Sequence, residues 1–372
     1  MAALFFNKFG LVLFYISMIL YLYGDLAIYD AAVPKSLRDT TCTFYQNSSS
    51  NGTQKLSESD PCWPSVNLSR LNVYRIYVVC FNLLIGALVF HNVQKTKLLQ
   101  ICTTAMRWIA FITMIALAVK HIIENKTSSN KVDPQLDIKM FNIKGLPNFF
   151  GVCIYAFMCH HSLPSIITPI KSKAKFIYML SLAYICILVF YLLLSFTGVF
   201  AFGNKLEDFY TLNFEPTHNS NDSLVLKVIK YYLSLFPVFT ISASFPIIAI
   251  TLRNNLIGLY SLTKKGNVNT KMLHLFPLIT LIPPLIISLI THDLQLLVGI
   301  TGSYAGVCIQ YIFPALLVYF GRRESIRHFH TNYQTKQNYK SPFMSKYWVY
   351  FVLLWAHVSV IFVTINHIIN KS

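Results

Sequence analysis

Residues 151–170 read GVCIYAFMCHHSLPSIITPI, an apolar stretch long enough to cross a bilayer yet broken in its middle by His160, His161, Ser162, Pro164 and Ser165, with Pro169 behind them. Proline lacks a backbone N–H and collides with the preceding turn, so a helix entering this stretch is predicted to break between Cys159 and Ser165. Irregular backbone at membrane depth is tolerated only where it is buried in protein or lines a cavity. The half-helix ends so created suit a carboxylate and cations. The competing reading is a plain proline kink with core histidines satisfied inside a bundle.

Eight further stretches reach the roughly 20 apolar residues that a spanning helix needs. With the first quoted stretch, extended to Asn148 to Ile170, they run from Phe9 to Tyr29, Val73 to Val93, Thr104 to Ile123, Ile177 to Phe202, Val228 to Leu252, Leu273 to His292, Leu296 to Phe320 and Tyr347 to Ile368. Continuous apolar runs without strict alternation favour helices over a barrel. The expectation is an all-α integral membrane protein of about nine transmembrane helices, one polytopic domain over 1–372. Composition agrees: 55% of the 372 residues are hydrophobic and 12% charged, against about 25% charged in ordinary globular proteins. A water-soluble protein could not cover its surface with so few charges, and a disordered chain or a disulfide scaffold is excluded as well. A cleaved signal peptide at Phe9 to Tyr29 is disfavoured, since no small-residue cleavage site follows cleanly before Asp25.

The net charge of +17 reads as topology rather than as a nucleic-acid surface. Lys and Arg are dense at Lys8, around Lys95 to Arg107, at Lys171 to Lys175, from Arg253 to Lys271 and from Arg322 to Lys346, accompanied by the one acid Glu324. Positive loops stay in the cytosol, which places the N-terminus there, makes 321–346 a basic cytosolic loop and puts the C-terminus outside. The glycan acceptor triplets at Asn47, Asn51, Asn67, Asn125, Asn221 and Asn370 all fall on the opposite side, with Asn370 too near the membrane and the terminus to be modified. Residues 30–72 are therefore an extracytosolic glycosylated loop. Cys42 and Cys62 are the two cysteines in that polar, oxidising setting, and a disulfide between them is the natural pairing, whereas the other six lie within helices.

Zinc, P-loop, triad and dinucleotide patterns do not occur, so neither an enzyme nor a cofactor is expected. In the sixth segment Pro237 and Pro246 interrupt an apolar run that carries Thr240, Ser242, Ser244 and Thr251, hydroxyls whose default role is to bond the preceding turn. Gly299, Gly302 and Gly306 form a small-residue face suited to close helix packing. Asp25, near the outer end of the first segment, is an intramembrane acid that invites a functional reading, although a place at the interface would allow it to be solvated.

The segments FNKFGLVLFYISMILYLYGDLAIYDAAVP, LLQICTTAMRWIAF, FGVCIYAFMCHHSLPSIITP, SLFPVFTISASFPIIAITLRNN and LVGITGSYAGVCIQYIFPALLVY closely resemble the transmembrane protein 104 family, a branch of the amino acid/auxin permease group related to the sodium-coupled neutral amino acid transporters. The resemblance covers nearly the whole chain outside the loop around Asn47. It implies an inverted five-plus-five repeat with one extra helix, of which the nine segments match helices three to eleven. It further implies a chain incomplete at its N-terminus, lacking the first helix whose unwound centre forms half of the substrate and sodium sites in such transporters. By position, Ser244 takes the place of a sodium-binding threonine, and Cys159 and His160 match a Cys-His pair on the broken helix, so that substrate contact is implied at Cys159, His160, His161 and Ser162.

The function expected from this reading is an amino acid transporter-like multi-pass protein in the plasma or an endolysosomal membrane, moving a small amino acid with a sodium ion. The alternative is a non-transporting membrane glycoprotein, or truncated form, with a scaffold or regulatory role. On the topology, Asn47, Asn51 and Asn67 are expected to carry glycans. Glycosidase treatment should collapse the chain to a faster band, and unchanged mobility on replacing all three, together with an extracellular tag at residue 1, would invert the orientation.

Overall fold

The computed structural model describes residues 2–42, 57–90, 97–128, 145–163, 167–168, 170, 175–203, 206–207, 210–214, 223–263, 270–329 and 343–369. The expected acceptor sites Asn47, Asn51 and Asn221, and Pro164 and Ser165 of the broken stretch, lie outside them, and Asn125 lies in a helix at a residue whose side chain is not described. Helices dominate. They are α1 (Ala2–Phe5), α2 (Lys8–Thr41), α3 (Arg70–Leu84), α4 (Lys97–Ser128), α5 (Leu146–Ala156), α6 (Phe176–Phe202), α7 (Leu224–Thr263), α8 (Thr270–Ile290), α9 (Leu294–Thr301), α10 (Phe313–Phe329) and α11 (Lys346–Ile369). Between α9 and α10 the chain winds through two π-helical turns, Gly302–Gly306 and Cys308–Ile312. Seven helical stretches are long and apolar enough to cross a membrane by length and composition, and Leu146–Ala156 and His274–Ile290 are shorter apolar helices. Side chains such as Leu83, Phe149, Ile185 and Leu354 point outward, as expected of helices whose outer faces meet lipid rather than water.

Helix α2 organises the bundle. It packs most extensively on α7, and also on α3, α8 and α9. Its apolar face closes a core in which Leu22, Leu26, Phe245, Ala249 and Leu252 are fully enclosed. A second core joins α4, α6 and α7 through Ala110, Met114, Ala201, Leu233 and Phe236. Tyrosine hydroxyls stitch the helices together: buried Tyr74 donates to the Ser288 carbonyl at 2.9 Å, Tyr23 to that of Ile279 at 2.8 Å and Tyr232 to that of Met106 at 2.8 Å.

Three features differ from the sequence-based expectation. The first helix does not stop at Tyr29 but continues to Thr41 through Pro34. At about 1.5 Å per residue its 34 residues outrun an apolar layer of about 30 Å, and the extra turns persist because their polar groups are met locally. Ser36 donates to the Ser234 carbonyl at 2.7 Å, and Arg38 pairs with Asp39 at 2.8 Å and with Glu58 at 2.6 Å. The stretch expected as a loop over 30–72 therefore begins as a helical arm. Secondly, α7 is not interrupted. It runs unbroken from Leu224 to Thr263 past both prolines, with Thr240, Ser244 and Thr251 each bonding a carbonyl one turn back. Thirdly, α10 extends to Phe329, so the basic stretch expected over 321–346 also begins helically.

The polar segment after α2 is not wholly irregular. Pro61–Trp63 (β1) and Val66–Ser69 (β2) form an antiparallel hairpin with Pro61 opposite Ser69 and Trp63 opposite Val66. Cys42 and Cys62 are joined, with Cα atoms 4.6 Å apart, which ties the end of α2 to the hairpin. Trp63 Nε1 donates to the Thr41 carbonyl at 3.0 Å, Arg70 pairs with Asp39 at 2.7 Å, and Ser69 caps α3 by accepting from Asn72 N–H. Asn67 lies exposed on β2, where a glycan would meet solvent.

Closing a loop of this length by a disulfide stabilises by about 3 kcal/mol. Cys42→Ser should lower the thermal midpoint of the purified chain, and the same drop should follow reduction of the wild type. Mass mapping without reductant that finds both thiols free would remove the expectation.

Candidate functional site

The broken stretch is broken. Helix α5, begun by Pro147 in its first turn where the missing N–H costs nothing, ends at Ala156, and 157–162 lie in turns. Ser162 N–H and Leu163 N–H both return to the Cys159 carbonyl, at 3.0 and 3.1 Å. A helix that stops inside an apolar segment leaves carbonyls without partners. Helix α6 meets them with long polar tips: Tyr191 donates to the Ala156 carbonyl and Tyr184 to that of Phe157, each at 3.4 Å, and Tyr184 stacks on Phe157 with centroids 6.1 Å apart. Tyr184 also shares a 2.8 Å contact with Cys159 Sγ, which engages the thiol from α6.

The open end of α5 faces the middle of α2. Tyr21, Asp25 and Tyr29 follow one another at one-turn spacing along the side of α2 that looks toward α5. Tyr155 donates its hydroxyl to Asp25 Oδ1, and Asp25 is only 4% exposed. The ring of Tyr21 lies 5.5 Å from that of His161 and 6.4 Å from that of Tyr155. His160 Nδ1 and His161 Nδ1 are buried and have no hydrogen-bond partner among the described residues. The site thus gathers the buried carboxyl of Asp25, the phenols of Tyr21, Tyr29 and Tyr155 and the imidazoles of His160 and His161 beside a helix terminus that Tyr184 and Tyr191 cover from α6.

Close backbone approach builds this wall. A Cβ on Gly24 would run into the Thr301 side chain, and one on Gly302 into the backbone of Gly151. These three small residues let α2, α5 and the α9 to π-turn segment approach to contact distance. The π-helical turns at 302–312 widen the ladder at the place where it meets α5, and such bulges cluster at functional sites. Ser303 Oγ is left buried there without a partner among the described residues.

The sequence-predicted residues divide accordingly. Cys159, His160, His161 and Ser162 come together at the end of α5. Ser244 does not join them through any direct contact described here: its hydroxyl donates to the Thr240 carbonyl at 3.0 Å within α7. Asp25, given a place near the interface from sequence, sits at the middle of α2, because that helix runs twelve residues past Tyr29. Tyr155 and Tyr21 were not singled out. The signal for Tyr21 was the one-turn spacing of Tyr21, Asp25 and Tyr29, whereas Tyr155 reaches Asp25 from another helix and leaves no local trace.

A broken helix packed on a long polar-striped helix, inside a bundle of membrane-spanning length, defines a multi-pass integral membrane protein. The sequence profile described as transmembrane amino acid transporter protein matches residues 4–365. The chain is 47% identical over 377 residues to transmembrane protein 104 of Homo sapiens, covering 100% of this chain and 73% of that one. It is 44% identical to the homolog of Drosophila melanogaster over 376 residues, covering 98% and 72%, and 32% identical to that of Dictyostelium discoideum over 390 residues, covering 100% and 70%. The chain belongs to the transmembrane amino acid transporter family, in its transmembrane protein 104 branch. No solved structure matches it.

Removing the phenol that holds Asp25 leaves a buried carboxyl without its donor, a loss of about 1–3 kcal/mol. Tyr155→Phe should therefore lower the melting temperature in detergent, and Asp25→Asn, which still offers an acceptor to Tyr155, should lower it less. Equal midpoints for wild type and Tyr155→Phe would refute the role given to this bond.

Proposed function

We propose that the chain moves a small amino acid through the space between the open end of α5 and the middle of α2. The observation that carries this is the pair of buried imidazole nitrogens, on His160 and His161, that no described residue meets at a helix terminus within an apolar segment. A buried polar atom without a partner is costly, and a polar solute lying there would meet it. The carbonyl end of α5 and the carboxyl of Asp25 both favour the ammonium end of such a solute. His160, His161 and Ser162, with Cys159 behind them, are its proposed contacts, and the family description supports an amino acid as the class.

Coupling to sodium is proposed at Ser244, whose oxygen keeps lone pairs for a cation while its proton is engaged by the Thr240 carbonyl. The orientation that accompanies this reading has the N-terminus in the cytosol and the C-terminus outside, with glycans on the extracytosolic side.

Uptake of labelled amino acids into liposomes containing the chain, with and without a sodium gradient, tests the proposal. Saturable uptake of at least one is expected, and His161→Ala should reduce it by about tenfold, equivalent to about 1.4 kcal/mol of lost binding. No uptake of any amino acid would favour the non-transporting glycoprotein instead.

A further inference from the structure

Five residues beyond Asp25, α2 carries a second carboxyl in a different setting. Asp30 has no exposed surface. Its Oδ1 accepts from Asn82 Nδ2 of α3 at 2.9 Å, and the other N–H of the same amide goes to the Val78 carbonyl at 3.2 Å. That leaves two atoms stranded: Asp30 Oδ2 and Asn82 Oδ1 are both buried and both without a partner among the described residues. Turning the amide over gains nothing, since its oxygen would then face two acceptors, Asp30 Oδ1 and the Val78 carbonyl.

No cation reaches Asp30 among the described residues. The ionisable side chain facing it is Tyr74 of α3, whose hydroxyl is given to the Ser288 carbonyl of α8 and which also feels Arg38 and Glu58 at the end of α2. An unpaired carboxylate enclosed in a membrane bundle is among the costliest arrangements a protein can hold. Two orphaned acceptors on one pair of side chains lack one thing, a donor.

The geometry points to a proton-binding site at the α2–α3 contact, in which Asp30 Oδ2 takes up a proton, the carboxylate becomes a neutral acid, and the new O–H supplies the donor that this acid–amide pair lacks. The site differs from the one at α5, and nothing in it depends on the transport reading. A sodium ion fits less well, because it needs several oxygen ligands and the structure offers two free ones here. Proton occupancy is linked to helix packing. A neutral Asp30 lets α2 and α3 stay closed, whereas loss of the proton leaves a buried anion that is relieved only when the two helices part.

Infrared spectroscopy of the chain in lipid at neutral pH reads this directly. The wild type should show a protonated-carboxyl C=O band that Asp30→Asn lacks, and Asn82→Leu should keep the band but shift it, because the amide donor is gone. Identical carboxyl regions in wild type and Asp30→Asn would overturn the proposal. So would loss of the band on adding sodium chloride at constant pH, which would make this a sodium site. Should Asp30→Asn fail to elute as a folded species, the Asn82→Leu comparison decides alone, and a band that does not move refutes the pairing. Absent amino acid uptake alongside a confirmed band would count against the proposed function only.

Discussion

Inside hydrocarbon no water is at hand to satisfy a carbonyl, and the structure turns on how that constraint is met where α5 stops at Ala156. The carbonyls freed by the stop are met by Tyr184 and Tyr191 from α6, at the long end of hydrogen-bond range. With the terminus held, the turns that follow set His161 against Tyr21, and α5 places Tyr155 on Asp25. Remove the stop, and the two imidazoles would point along a continuous helix with no reason to converge on α2.

The same constraint explains why α2 can carry so many polar groups. A helix meeting lipid on one side cannot afford them, but α2 is enclosed by α3, α7, α8 and α9. Its polar residues are shared out among these neighbours: Tyr23 goes to α8, Asp30 to α3 and Ser36 to α7. Small residues make that enclosure possible. Gly24 against Thr301 and Gly151 against Gly302 bring backbones into contact, so dispersion and hydrogen bonding replace the hydrophobic drive that is missing between helices in lipid.

Prolines had opposite outcomes in two segments of similar composition. In α7, Pro237 and Pro246 sit in a helix that stays whole, packed densely along α2. In the 151–170 stretch the helix ends some residues before Pro164, and the two adjacent histidines have no carbonyl-bonding habit comparable to that of serine and threonine. The sequence reading treated both stretches as interrupted. Local pattern alone could not distinguish them, since the difference lies in what packs alongside.

Apolar runs and their lengths were enough to establish a membrane-embedded all-α chain, because the thickness of a bilayer converts directly into residue count. The cysteine pairing was equally legible, since Cys42 and Cys62 are the two cysteines in a polar stretch. A break in the 151–170 stretch was expected from its prolines, but α5 already ends at Ala156, eight residues before Pro164, so proline's local effect does not by itself place it. Where α2 ends was not legible: residues 30–41 look like a loop by charge and proline content, and their helix survives through partners in Glu58 and Ser234, 20 and 198 residues away from Arg38 and Ser36. Nor could the sequence bring Tyr155 to Asp25 or Asn82 to Asp30, separated by 130 and 52 residues. Whether a buried carboxyl is solvated, hydrogen-bonded or stranded depends on which helix lies across from it, and tertiary packing alone decides that.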